Sequence, residues 1–166
     1  YMKNIYEILV ERNPDKNIVI QNPSMTEVER EEFLSRFKDE NDLIAFAVMG
    51  GIFSEGIDLA GEKLIGAAIV GVGMPQICFE RDIIKDYFNH NNKNGFDYAY
   101  VFPGMNKVLQ AAGRVIRTEE DRGVILLIDD RYGTYRYKEL FPNEWSHHKR
   151  VSVKYNMINT LKEFWK

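Results

Sequence analysis

The sequence predicts an α/β domain of three layers, with helices on both faces of a mostly parallel sheet. Three observations carry this expectation. Residues 43–49 (LIAFAVM) and 64–74 are apolar runs without alternation, closed by glycine or proline, the pattern of strands covered on both faces. Stretches of helical period separate such runs, and the links between them are short. At 166 residues the chain is long enough to bury a core, and it reads as one domain, 1–166, without an internal boundary.

Taken in order, residues 3–12 read as a short helix with Ile5, Ile8 and Leu9 on one side. Residues 16–21 (KNIVIQ) read as a short strand ended by Asn22-Pro23. Thr26-Glu27-Val28-Glu29 has capping-box spacing and predicts a helix over 26–38, with Val28, Phe33, Leu34 and Phe37 on its apolar face. After the two apolar strands, residues 79–90 read as a helix, 89–95 as a polar turn and 98–102 as a further short strand. Pro103 fits the first turn of a long helix reaching Arg117. Residues 124–128 read as a buried strand ending in Asp129-Asp130. A short aromatic-rich helix near 134–141 and a last helix near 156–165 complete the chain.

Composition narrows the function. The longest apolar runs are broken by glycine and too short to span a bilayer, so no membrane partner is expected. No signal or transit peptide opens the chain, and Tyr1 reads as a cut end. The single cysteine, Cys78, excludes an internal disulfide and a cysteine-cluster metal site. It is expected to be a small core residue, and the cytoplasm is the expected compartment. A net charge of −3 argues against a domain that holds nucleic acid by itself.

In parallel sheets, ligands sit at the carboxyl ends of the strands. That rule directs attention to residues 50–59 and 73–75 and to the helix that Pro103 opens. On that helix Gln110, Arg114 and Arg117 fall within an arc of about 60°, opposite Val108, Leu109, Ala112, Val115 and Ile116. An amide and two guanidiniums in a row suit a polyanion such as a triphosphate. The alternative is a solvated face paired with Glu119, Glu120 or Asp121. In the second candidate segment, Gly56 frees the backbone to approach a ligand, while Ser54, Glu55 and Asp58 supply acceptors for a ribose hydroxyl or a water. The alternative there is a tight turn with solvated carboxylates.

Other features are weaker. The chain has no P-loop, and Gly71-Val72-Gly73 lacks the third glycine of a dinucleotide fingerprint. His147-His148 and Asp129-Asp130 read as surface and strand end. Tyr132, Tyr135, Tyr137, Phe141 and Trp145 suit stacking on bases or, better, covering the sheet.

Together, two of these stretches resemble a known family. Gly51-Ile52-Phe53-Ser54-Glu55-Gly56-Ile57-Asp58 is similar to helicase motif V. Gln110-Ala111-Ala112-Gly113-Arg114-Val115-Ile116-Arg117 is similar to motif VI, in the form found in superfamily 2 DNA helicases of the DinG and XPD type. The resemblance covers roughly residues 17–135. It implies a RecA-like fold, the second domain of a two-domain motor, with ATP in the cleft between the domains. The P-loop, the carboxylates for Mg²⁺ and, in many members, an iron–sulfur cluster belong to the first domain, and none is present here. By the same resemblance, Arg117 is the arginine finger with Arg114 beside it, and Gln110 couples the nucleotide to the helix. Gly56 and Asp58 contact the nucleotide or the facing domain, Glu55 lies at the nucleotide, and Ser54 and Glu55 link that site to a single or forked DNA strand, unwound with 5′-to-3′ preference. The acidic balance is then no obstacle, because DNA lies across both domains. The fragment alone is expected to fold without hydrolysing ATP. A non-catalytic binding module that kept the fold is the second hypothesis. Two departures stand: the strand carrying the start of motif IV is expected before residue 1, and the tail beyond about Tyr135 matches no motif.

Overall fold

A computed structural model describes residues 1–50, 64–116, 118–151 and 154–166. The segment resembling motif V and Arg117 lie outside the described residues. The chain forms two compact units, Tyr1–Ile128 and Asp129–Lys166.

The first unit opens with helix α1 (Met2–Arg12), strand β1 (Asn17–Ile20), helix α2 (Glu27–Asp39) and strand β2 (Leu43–Phe46). β1 and β2 pair in parallel, with Val19 opposite Ala45, and α2 is the crossover between them. The expected capping box closes α2. Thr26 Oγ1 accepts from the Glu29 N–H at 3.3 Å, and the Glu29 carboxylate accepts from the Thr26 N–H at 2.7 Å. The Thr26 N–H and then the Thr26 hydroxyl, which donates to the same carboxylate at 2.8 Å, hold the Glu29 carboxyl below its ordinary range. Phe33 is the residue of α2 that is fully buried, against Val19, with Leu34, Phe37, Leu43 and Ala45 around them. Val28, expected on the same face, is 64% exposed. It sits in the first helical turn, at the rim of this small core.

Strands β3 (Gly66–Val70) and β4 (Val124–Ile128) make a second parallel pair, with Ala68 opposite Leu126. Helix α3 (Phe79–His90) and helix α4 (Phe102–Ala112) lie between them in the chain. Among the described residues the strands thus form two separate two-stranded parallel sheets, β1–β2 and β3–β4.

Residues 98–102, expected as a strand, are helical. Asp97–Val101 is a π-turn that runs without a break into α4, and the Phe102 N–H donates to the Asp97 carbonyl. Pro103 explains why the turn is wide. It brings no N–H, and its ring would crowd the carbonyl four residues back in a regular α-helix. That carbonyl belongs to Ala99, and Arg81 Nη1 on α3 donates to it at 3.2 Å. Rings spaced four apart pack along the turn, Phe96 on Tyr100 and Tyr98 on Phe102, each pair 5.1 Å between centroids. Val101, Gly104, Met105, Val108 and Ala112 are buried at helical spacing and form the centre of this half.

The second unit, described by itself, holds a 3₁₀ turn (Asp130–Gly133), helix α5 (Tyr135–Lys138), a second 3₁₀ turn (Asn143–Trp145) and helix α6 (Lys154–Phe164). The tail aromatics pack on one another. Tyr132 meets Tyr137 at 6.2 Å, and Phe141 meets Trp145 at 5.4 Å and the His148 ring at 5.3 Å. Burial, reinforced by the Asp129 carboxylate, pushes the Tyr132 phenol well above its ordinary value. Tyr135 stands apart at 77% exposed. No helix of the described residues is long and apolar enough to cross a membrane.

Candidate functional site

Helix α4 organises the candidate site because it packs along β3. Its first turns lie at the carboxyl end of β3, where two glycines let backbones touch. A Cβ on Gly104 would fall 2.6 Å from the Val72 carbonyl oxygen, and one on Gly73 would fall 2.8 Å from that of Gly104. Gly73 also has a φ of +61°, a conformation that favours glycine.

One turn further along, Lys107 lays its stem against Gly73, which follows β3, and Gly50, which follows β2. A Cβ on Gly73 would be 3.5 Å from Lys107 Cβ, and one on Gly50 would be 3.0 Å from its Cδ and 3.1 Å from Nζ. Gly50 closes the residues after β2 with a φ of +81°. The Lys107 amine therefore sits beside the chain that leads into residues 51–58. Close by in sequence, Gln21 Oε1 accepts the Val48 N–H at 2.8 Å, tying the ends of β1 and β2.

The other end of α4 carries the residues that resemble motif VI, and here the expectation needs correcting. The helix stops at Ala112, short of Arg117. Gly113 N–H still donates to Leu109 O at 2.8 Å, but Arg114 and Val115 bond only three residues back, to Ala111 O and Ala112 O. Gly113 is a poor helix former, and Val115 is drawn inward. It is buried, and a Cβ on Gly123 would meet its Cγ1 at 2.4 Å. Gln110 is exposed on the last turn of α4, while Arg114 is half-buried in the tight turns beyond it. These two therefore do not continue one straight helical row, and Arg117 lies outside the described residues. Ile116, expected on the buried side, is 39% exposed.

Ser54, Glu55, Gly56 and Asp58 also lie outside the described residues. Cys78 is exposed, not buried; it is the N-cap residue of α3, between Ile77 and Phe79, which are exposed as well. Asp129 caps its 3₁₀ turn by accepting the Arg131 N–H, and the Arg131 guanidinium, 2.8 Å away, holds its carboxyl below the ordinary range. That geometry is structural. Among the described residues, no group of three or more His, Cys, Asp or Glu could hold a metal ion. A single cysteine cannot supply the four thiolates of an iron–sulfur cluster.

Sequence reasoning missed Lys107. Its signal was modest: it precedes Gln110 by one helical turn and follows Gly104 by three residues. Only the folded chain brings it to Gly50 and Gly73.

Comparison with known proteins gives this geometry a family. The helicase C-terminal domain matches residues 1–148. A probable ATP-dependent helicase of Methanocaldococcus jannaschii is 28% identical over 144 residues, covering 81% of this chain and 21% of that protein. The ATP-dependent DNA helicase DinG of Photobacterium profundum is 28% identical over 151 residues, covering 90% of this chain and 20% of that protein. The chain thus spans about a fifth of the length of these relatives. Among solved structures, an XPD helicase superposes with a TM-score of 0.58 at 18% identity, over 83% of this chain and 29% of that one, and so shares the fold. The chain belongs to the helicase C-terminal domain family, of the DinG and XPD type, and has its RecA-like fold.

Proposed function

We propose that this chain is the second motor domain of an ATP-dependent DNA helicase and completes an ATP site shared with a first domain. The observation that carries the reading is the exposed Gln110 on the last turn of α4, followed by tight turns that lead through Arg114 toward Arg117. Arg117 acts as the arginine finger on the γ-phosphoryl group, Arg114 binds phosphate oxygens beside it, and Gln110 ties the nucleotide to α4. Glu55, Gly56 and Asp58 lie at the nucleotide, and Ser54 joins that site to a single or forked DNA strand. The P-loop and the ligands for Mg²⁺ come from the first domain. When bound, the metal neutralises phosphate charge and ATP supplies the free energy of translocation.

The test is DNA-stimulated ATP hydrolysis by the intact parent polypeptide, wild type beside Arg117→Ala. Turnover falls about 10³-fold or more while ATP binding persists, as expected for loss of a finger. Residues 1–166 alone show no turnover. An Arg117→Ala protein with wild-type turnover would return these arginines to a solvated surface.

A further inference from the structure

We infer that Asp121 is a positioning residue for the arginine finger, Arg117, an assignment that rests on the helicase reading above. It acts on the backbone that carries the finger. The Asp121 carboxylate accepts the Thr118 N–H at 2.8 Å, and that N–H belongs to the peptide bond joining Arg117 to Thr118. A planar peptide moves as one unit, so holding its N–H restrains the chain on the carboxyl side of the finger. The Asp121 N–H donates in return to the Thr118 carbonyl at 3.3 Å, which closes the turn 118–121 from both sides. Of the three acids in this turn, Glu119 and Glu120 are exposed and Asp121 is half-buried. The short aspartate side chain suits a bond to nearby backbone.

The residues before the finger are held by the same returning segment. Val115 is buried, and a Cβ on Gly123 would meet its Cγ1 at 2.4 Å and Ile116 Cδ1 at 3.4 Å, so glycine is what leaves these side chains room. Gly123 is itself anchored. The N–H that follows it, of Val124, donates to Ile65 O at 3.0 Å where β4 starts beside β3. Residues 121–123 thus hold Val115, Ile116 and Thr118, on both sides of Arg117, and fasten them to the β3–β4 pair. A finger acts only where charge develops on the phosphoryl group, and a misplacement of about 1 Å can cost about 10²-fold in turnover. Binding of ATP is less demanding, so lost positioning shows in kcat and not in KM.

The test measures kcat and KM for ATP, with DNA present, in the intact parent polypeptide carrying Asp121→Asn, Asp121→Glu, Asp121→Ala, Arg117→Ala, or Asp121→Glu together with Arg117→Ala. Asparagine keeps an acceptor oxygen in place and removes the charge, whereas glutamate keeps the charge and moves the oxygen by one methylene. The Glu and Ala variants lose about 10- to 10²-fold in kcat with KM unchanged, and the Asn variant stays within about threefold of wild type. In the Arg117→Ala background, Asp121→Glu brings no further loss, because the finger it positions is already gone. Unchanged melting temperatures confirm folding, and the Asn and Glu variants decide the matter even where the Ala variant unfolds. Wild-type kcat in the Glu variant overturns the assignment and leaves the helicase reading standing. An Asn variant as slow as the Glu variant overturns it too, because charge and not the bond to the Thr118 N–H then matters. So does a further loss of full size on top of Arg117→Ala, or a raised KM with a lower melting temperature, which marks a bond that only supports the fold. Wild-type turnover by Arg117→Ala itself defeats the finger reading and takes the assignment with it.

Discussion

Helices α2 and α4 are of similar length, 13 and 11 residues, yet they are held by opposite means. α2 is sealed by its own side chains: a capping box at its start, and one fully buried residue, Phe33, along its length. α4 has no side-chain cap. It grows out of a π-turn and buries Gly104, Met105, Val108 and Ala112 against its neighbours. A locally sealed helix can lie on a surface and tolerate change there. A helix held by tertiary contacts is rigid only while its surroundings are intact, and the candidate site stands on that second kind of support.

The contrast is most sharply tested at the joint that feeds α4. A Cβ on Gly95 would lie 1.9 Å from the Lys85 carbonyl oxygen, a backbone atom with nowhere to go, and 2.7 Å from Asn89 Oδ1, which accepts the Gly95 N–H. Gly95→Ala is expected to cost about 3 kcal/mol, the upper part of the overpacking range, read as a lower urea midpoint. A loss below about 0.5 kcal/mol would mean that the joint yields easily and the contrast is overstated. On α2 the matching test is Thr26→Ala, which removes the cap and costs about 1 kcal/mol. If it cost as much as Gly95→Ala, local sealing and tertiary support would be indistinguishable here.

The smallest effect is a titration. Thr26 lowers the Glu29 carboxyl from its ordinary 4.5 through its N–H and then its hydroxyl. A depressed folded-state value means that the stabilisation is present above the unfolded value and is lost as pH falls through the folded one. Carboxyl NMR is expected to place the Glu29 midpoint below 4.5 in the wild type and move it back toward 4.5 in Thr26→Ala. An unshifted wild-type midpoint would remove the charged half of the capping box.

What the sequence reveals follows the same division. The capping box at Thr26 and the apolar strands at 43–46, 66–70 and 124–128 were legible because each is written in consecutive residues. Residues 98–102 were not, because tyrosine, valine and phenylalanine suit a strand as well as a helix. The deciding signals are the ring pairs four apart and the Arg81 bond to Ala99, which comes from 18 residues away. At the candidate site, the exposure of Gln110 was legible from helical spacing. The end of α4 at Ala112 was not, since it depends on where Val115 packs against Gly123. Lys107 depends on glycines 57 and 34 positions upstream, a relation that no local pattern contains.

The bond from Arg81 to the Ala99 carbonyl has an evolutionary consequence. Proline at 103 creates a missing donor, and arginine at 81 replaces it from another helix. A chain with any other residue at 103 regains a donor of its own, and arginine at 81 is then released from this duty. The two positions are therefore epistatic. Substitution at one is then expected to change what is tolerated at the other, although 22 residues separate them.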